Sequence, residues 1–253
     1  MHIIISPSKA MDFKTPYKGN IETPRFLDQT QDLIKIMRKK SRGQLVQLMG
    51  ISDSLAKLNH DRYKNFAREF TQENSHPAIL AFKGNVYDGL KAEYFSKSQL
   101  QYAQKHLKIL SGLYGLLRPM DWIQPYRLEM GTKLQTPAGE NLYDFWENKL
   151  SDMLASDMNE NSDSILINLA SNEYNKAVKL KKFKYEVITP TFKEFKNGKY
   201  KMIMVYVKKA RGMMARYIIE NKIDDLKLLK KFNIDGYRYN EELSKGNDWV
   251  FTR

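Results

Sequence analysis

A chain of 253 residues with 42% apolar residues can bury a sizeable core, as one large domain or two small ones. Mean hydropathy is −0.59 and no apolar run nears the ~20 residues of a membrane helix, while Ile3-Ile4-Ile5 is too short for a signal-peptide core. The absence of cysteine excludes disulfides, thiolate metal ligands and cysteine nucleophiles, and 42 Lys and Arg against 29 Asp and Glu give a charge of +13 that favours polyanionic partners.

In chain order, HIIIS (2–6) reads as a buried strand, followed by the loop PSKAMDFKTPYKGNIE. Thr23-Pro24 opens a helix to about Lys40, since threonine accepts free first-turn amides and proline suits the first helical position. A shorter helix over GQLVQLMG follows, and Ser52 caps SDSLAKLNHDRYKNF. AILAFKG (78–84) lacks alternation and predicts a second strand, buried on both faces. Ser96 and Gln99 form a capping box for a helix whose Leu100, Ala103, Leu107 and Leu110 make one stripe. NLYDFWENKLSDMLASDM (141–158) predicts an amphipathic helix, and SILINLAS (164–171) a third buried strand. YEVITPTFKEF, Asn197-Gly198 and KYKMIMVYVKK have the pattern of a hairpin, with a helix over 210–222 behind it and short strands and turns after that. Without a repeat, low-complexity run or linker, residues 1–253 read as one α/β (mixed α+β) domain, a central mixed sheet surrounded by helices.

The passage LSGLYGLLRPMDWIQPYRLEMG (110–131) combines glycines, large apolar residues and scattered charges. Gly112 and Gly115 allow positive φ and close backbone approach, and a helix starting near Gly115 would aim free amides at a phosphate. LSGLYG is close to the L-x-G-h-G corner of a helix-hairpin-helix, stretched by one residue, with a plain glycine turn as the alternative. Arg118 and Arg127 would add charge there, and Trp122 and Tyr126 rings for a base. Between Lys176 and Arg211 stand twelve basic residues against Glu186 and Glu194. Those at 176–184 read as solvated charge, whereas Lys208, Lys209 and Arg211, beside Gly212, read as phosphate contacts.

Loops after buried strands are where α/β sheets hold ligands, which singles out Ser6, Lys9, Lys83, Asn168, Ser171 and Glu173 for a shared cleft. The S-x-x-K spacing of SPSK suits an acyl-transfer serine only when the serine begins a helix, and here Ser6 ends a strand. His2, His60, His76 and His106 are dispersed without ligand spacing, and neither GxxxxGK[ST] nor GxGxxG occurs. The expectation is no metal and no cofactor.

The blocks IISPSKAMDF, ISDSLAKLN, ILAFKGNVYDGL, LSGLYGLLRPMDWIQPYRLEMG, LYDFWEN, INLASNEY and VKKARGMMARYIIEN, in this order, resemble the YaaA peroxide-stress proteins over nearly the whole chain. The resemblance implies a cytoplasmic bacterial protein that limits iron-driven peroxide damage. It also implies a single-domain α/β fold with a basic cleft, a helix-hairpin-helix element and DNA binding, with Gly112, Gly115 and Arg118 inheriting the phosphate contacts. Two mechanisms compete. In one, the glycine corner with Arg118, Arg127, Lys208, Lys209 and Arg211 grips DNA by shape, while Tyr126 or Trp122 stacks on a base. In the other, an enzyme acts on a nucleotide or nucleobase, with Glu129 or Glu173 as acid/base and Lys9, Lys83 and Arg127 holding phosphate. Oligomeric state leaves no signal in the sequence.

Overall fold

The computed structural model describes residues 1–15 and 17–253. The apolar runs read as buried strands account for its centre. Strand β1 (His2–Ile5) is buried throughout and pairs in parallel with β2 (Leu107–Ser111) on one side and β4 (Ile165–Leu169) on the other. Strand β3 (Gly115–Leu117) folds back antiparallel on β2. Beyond β4 lie β5 (Glu186–Lys196), parallel to it, and β8 (Asp248–Thr252), parallel to β5. Strands β6 (Lys199–Lys201) and β7 (Arg238–Lys245) pair antiparallel with β5 and β8. The eight-stranded mixed sheet runs β7-β8-β5-β4-β1-β2-β3, with β6 on β5. The chain builds β2 and β3 on one flank of β1 and then returns to build β4 on the other. Strand order therefore reverses at β1/β4, and a crevice opens beyond their carboxyl ends.

Around the sheet, α1 (Leu27–Arg38), α2 (Arg42–Met49) and α3 (Asp53–Asn65) lead to α4 (Asn85–Leu90) and α5 (Lys97–His106). Then come α6 (Leu142–Trp146), α7 (Lys149–Glu160), the one-turn α8 (Asn172–Asn175) and α9 (Met204–Asn221). Capping boxes at Ser41/Gln44 and Ser96/Gln99 start α2 and α5, and Ser52 Oγ accepts the Leu55 amide at the start of α3. One continuous apolar core joins residues from Met1 to Phe251.

Five segments differ from the sequence reading. The first helix starts at Leu27, three residues inside the expected Thr23-Pro24 opening. AILAFKG is not a strand: Ala78–Ala81 makes one helical turn, and among the described residues Phe82–Lys83 pairs only with Ala10–Met11. Burial on all sides looks the same in a strand and in a packed turn. The stripe over Leu100–Leu110 is divided, because after His106 the chain straightens to pair Leu107 with Ile3. The 141–158 helix breaks at Glu147, whose φ of 48° ends α6 before α7 begins. Helix α9 begins at Met204 rather than Ala210, so the returning strand of the hairpin is only three residues long. Val207, Ala210, Met214 and Ile218 face the core at helical spacing, which overrides the strand preference of the β-branched and aromatic residues before them.

Helix α9 lies against β1, β4 and β5 and crosses α4 at backbone contact. A Cβ on Gly212 would stand 1.8 Å from the Val86 carbonyl oxygen, and one on Gly89 2.1 Å from that of Lys209. Gly212 thus serves helix crossing, not ligand approach, and the crossing plants Lys208 and Arg211 beside the loop that opens α4.

Candidate functional site

The crevice at the β1/β4 reversal is a cleft of about 360 Å³. Its walls come from four places: Ser6–Ala10 after β1, Gly84–Tyr87 at the start of α4, Tyr126–Glu129, and Ser171, Glu173 and Tyr174 after β4. Lys208 and Arg211 of α9 add a fifth. The strand ends are tied together: Ser6 Oγ accepts the Ser171 amide at 2.9 Å and donates to Ser171 Oγ at 3.3 Å, and Tyr87 Oη donates to the Ser6 carbonyl at 3.2 Å.

Charge in the cleft is unevenly compensated. Glu129 Oε1 receives Lys9 Nζ at 3.0 Å and an Arg127 Nη at 3.1 Å, while Glu129 Oε2 is buried without a hydrogen-bond partner. Arg127 Nε is likewise buried and unpaired. Arg211 goes further: half-buried, with Nε unsatisfied, it has no carboxylate within ion-pair distance among the described residues. Burial alone pulls its pKa below the ordinary arginine value. An uncompensated guanidinium held partly out of water is costly unless an anion meets it. Burial pushes the phenols of Tyr126 and Tyr174 in the cleft wall, and of Tyr63 behind it, well up, so they stay protonated. Tyr126 Oη lies 2.6 Å from Ser111 Oγ, and Tyr63 donates to the Arg127 carbonyl, fixing the strip that carries Arg127 and Glu129. Such a site can hold a phosphate beside its arginines, next to a carboxylate that the same cations partly compensate.

Of the residues singled out by sequence, Ser6, Lys9, Tyr126, Arg127, Glu129, Ser171, Glu173, Lys208 and Arg211 meet here. Glu173 Oε1 accepts the Gly131 amide at 3.0 Å on the exposed rim. Lys83 is exposed on the Phe82–Lys83 ladder and does not line the cleft. Asn168 is buried inside β4, where it hydrogen-bonds Thr189 and the Ala170 amide. Lys209 faces Asp235 at 3.8 Å. Sequence reasoning passed over Tyr87 and Tyr174, which also line the cleft; both follow polar turns after apolar runs, in GNVYDGL and ASNEY.

The glycine corner is elsewhere and differently built. LSGLYG is a β-hairpin turn between β2 and β3, not a helix-hairpin-helix, and residues 111–117 are all buried. A Cβ on Gly112 would lie 2.3 Å from the Leu128 carbonyl oxygen, and Gly115, at φ +73°, packs against the Trp146 ring. Trp146 Nε1 donates to the Gly112 carbonyl at 3.0 Å, so this corner has no surface to offer a phosphate. Arg118 is committed to buried Asp121 at 2.7 Å and reaches Glu22 at 3.4 Å, and Trp122 is fully buried, unable to stack on a base. Nor does SPSK build a serine–lysine pair, since Lys9 points to Glu129.

Two of the dispersed histidines do meet: His2 Nδ1 and His106 Nδ1 lie 2.5 and 2.8 Å from the same oxygen of Asp163. Tetrahedral ligands about 2.0–2.1 Å from a zinc ion stand wider apart than this. The trio is spaced as a hydrogen-bonded clamp on the edge of the core. Among the described residues no helix is long and apolar enough to cross a membrane.

Comparison with known proteins agrees over the full length. Residues 1–243 match the family described as peroxide stress protein YaaA. UPF0246 proteins from Colwellia psychrerythraea, Hahella chejuensis and Ralstonia pickettii are 50%, 49% and 49% identical, over 100% of this chain and 99% of each relative. The chain belongs to the YaaA peroxide-stress protein family.

Proposed function

We propose that this protein serves the peroxide-stress role of its family by binding DNA through the cleft, which takes a phosphate-bearing nucleotide of the strand. Arg211 carries this reading: a partly desolvated cation without a counter-ion among the described residues, facing Arg127 and Lys208 in one concave site, is matched by a phosphate anion. The cleft's location at the strand-order reversal, where open α/β sheets hold nucleotides, supports the same class of ligand. The nearby phenols and Pro7 supply apolar surface for the base or sugar. Removing one charge-assisted contact costs about 1.5–3 kcal/mol, so Arg211→Ala weakens binding of thymidine 5′-monophosphate roughly ten- to a hundredfold by calorimetry. Equal affinity in wild type and variant refutes the reading.

A second reading, an enzyme acting on that nucleotide, is favoured by one observation: Glu129 lines the cleft with its Oε2 buried and without a hydrogen-bond partner. Glu129→Gln separates the two, because the amide keeps the shape but cannot take a proton. Retained binding with loss of any strand processing by the wild type assigns catalysis; unchanged behaviour throughout leaves a binder.

A further inference from the structure

We propose that the β5–β6 hairpin and the first turn of α9 form a stacking platform for unpaired bases, so that the strand delivering its nucleotide to the cleft is single-stranded. The inference rests on the nucleotide reading of the cleft. The carrying observation is a run of large side chains left in solvent at one end of the sheet. Phe195, Tyr200, Met202, Met204 and Tyr206 are 61, 42, 58, 53 and 42% exposed. Ordinary surfaces scatter such residues singly; a contiguous set marks a binding surface.

The three rings are linked. Phe195 and Tyr200 are register partners across the hairpin, with ring centroids 5.1 Å apart, edge to face. The Arg253 guanidinium lies over the Tyr206 ring at 5.1 Å, and the Arg253 carbonyl accepts the Phe195 amide, joining hairpin to helix. Met204, Lys208 and Arg211 follow one another at i, i+4 and i+7 on α9 and share a face, which runs from the hairpin end of the helix to the cleft over roughly 10 Å.

Charge selects the occupant. Lys196, Lys199 and Lys201 alternate with the rings along the hairpin, Lys208 follows on α9, and none has an ion-pair partner among the described residues. The single acid of this stretch, Glu194, is already taken by Tyr237 and by Arg253 at 2.7 Å. Aromatic faces interleaved with free lysines match a polyanion whose bases are exposed. A duplex keeps its base faces inside and would leave these rings unused.

Fluorescence anisotropy with a 5′-phosphorylated twelve-residue oligothymidine and a matched duplex tests this, in wild type, Phe195→Ala/Tyr200→Ala and Arg211→Ala. Wild type binds the single strand more tightly than the duplex. The double variant loses about ten- to a hundredfold for the single strand, keeps its affinity for thymidine 5′-monophosphate, and binds the two DNA forms alike. Its sites are exposed, and an unchanged circular dichroism spectrum confirms folding. Wild-type single-strand affinity in the double variant overturns the proposal, as does equal wild-type affinity for both DNA forms. Loss of binding to anionic vesicles alone, with oligothymidine binding intact, reassigns the surface to membranes and likewise overturns it. If Arg211→Ala binds the monophosphate normally, the cleft reading fails by itself, because the platform is scored on the oligothymidine difference.

Discussion

Two regions of this molecule contain arginines, aromatic rings and glycines, and they use them in opposite ways. In the corner over 110–123 every group is satisfied internally: Gly112 accommodates Leu128, Trp146 bonds Gly112, and Arg118 neutralises Asp121. In the cleft at the ends of β1 and β4 the same chemistry is left open, with Arg211 unpaired and single atoms of Arg127 and Glu129 unsatisfied. Residue types alone do not make a ligand site; incomplete pairing in a concave place does.

The sharpest way to break this contrast is to load the corner. Gly112→Ala sets a Cβ 2.3 Å from a backbone oxygen that cannot yield, so a loss of about 3 kcal/mol or more in urea unfolding is expected. Arg211→Met, by contrast, removes an uncompensated charge and keeps the apolar stem, and shifts stability by less than about 1 kcal/mol while abolishing most nucleotide binding. Next in size is Arg118→Ala, which strands fully buried Asp121 and costs about 2–3 kcal/mol, with nucleotide affinity unchanged. If Arg118→Ala weakens binding instead, the corner has a ligand role after all.

The Asp163 clamp gives a smaller, pH-dependent effect. The histidine and amino-terminal donors around Asp163 hold its carboxyl well below the ordinary 3.8, although burial opposes them. Its contribution is therefore present above about pH 4 and is lost as pH falls below that value. Burial, reinforced by Lys108 and opposed by Asp163, lowers the His2 pKa from 6.5, so the unfolded chain takes up its proton first and stability already declines as pH drops through about 6.5. Asp163→Asn should cost about 2 kcal/mol at pH 7 and flatten the decline below pH 4, read from unfolding at pH 7, 5 and 3. The smallest effect belongs to Lys208→Ala, which lowers the slope of log K against log salt for DNA by about one unit or less.

The sheet was largely legible in the sequence because its strands are buried apolar runs with clear boundaries: HIIIS, SILINLAS and YEVITPTFKEF all appear as strands. Helix α5 was legible because Ser96 with Gln99 three residues on satisfies amides locally, and α3 because Ser52 caps it. What failed were stretches whose fate depends on distant partners. Leu107–Ser111 carries helical spacing but pairs with β1, a contact more than 100 residues away in sequence. Gly112 and Gly115 signalled close approach correctly; the approaching body is Leu128 and Trp146, not a ligand. In the cleft, the strand-end rule found Ser6, Lys9, Ser171 and Glu173, and the basic stretch found Lys208 and Arg211. It could not tell Lys208 and Arg211 from Lys209, since only the rotation of α9 decides which face the cleft and which face Asp235.

The most direct measurement is a crystal structure with a bound 5′-phosphorylated dinucleotide. The phosphate should lie within hydrogen-bonding distance of Arg211 and Arg127. A phosphate seated elsewhere, with Arg211 still unpaired, would contradict the account.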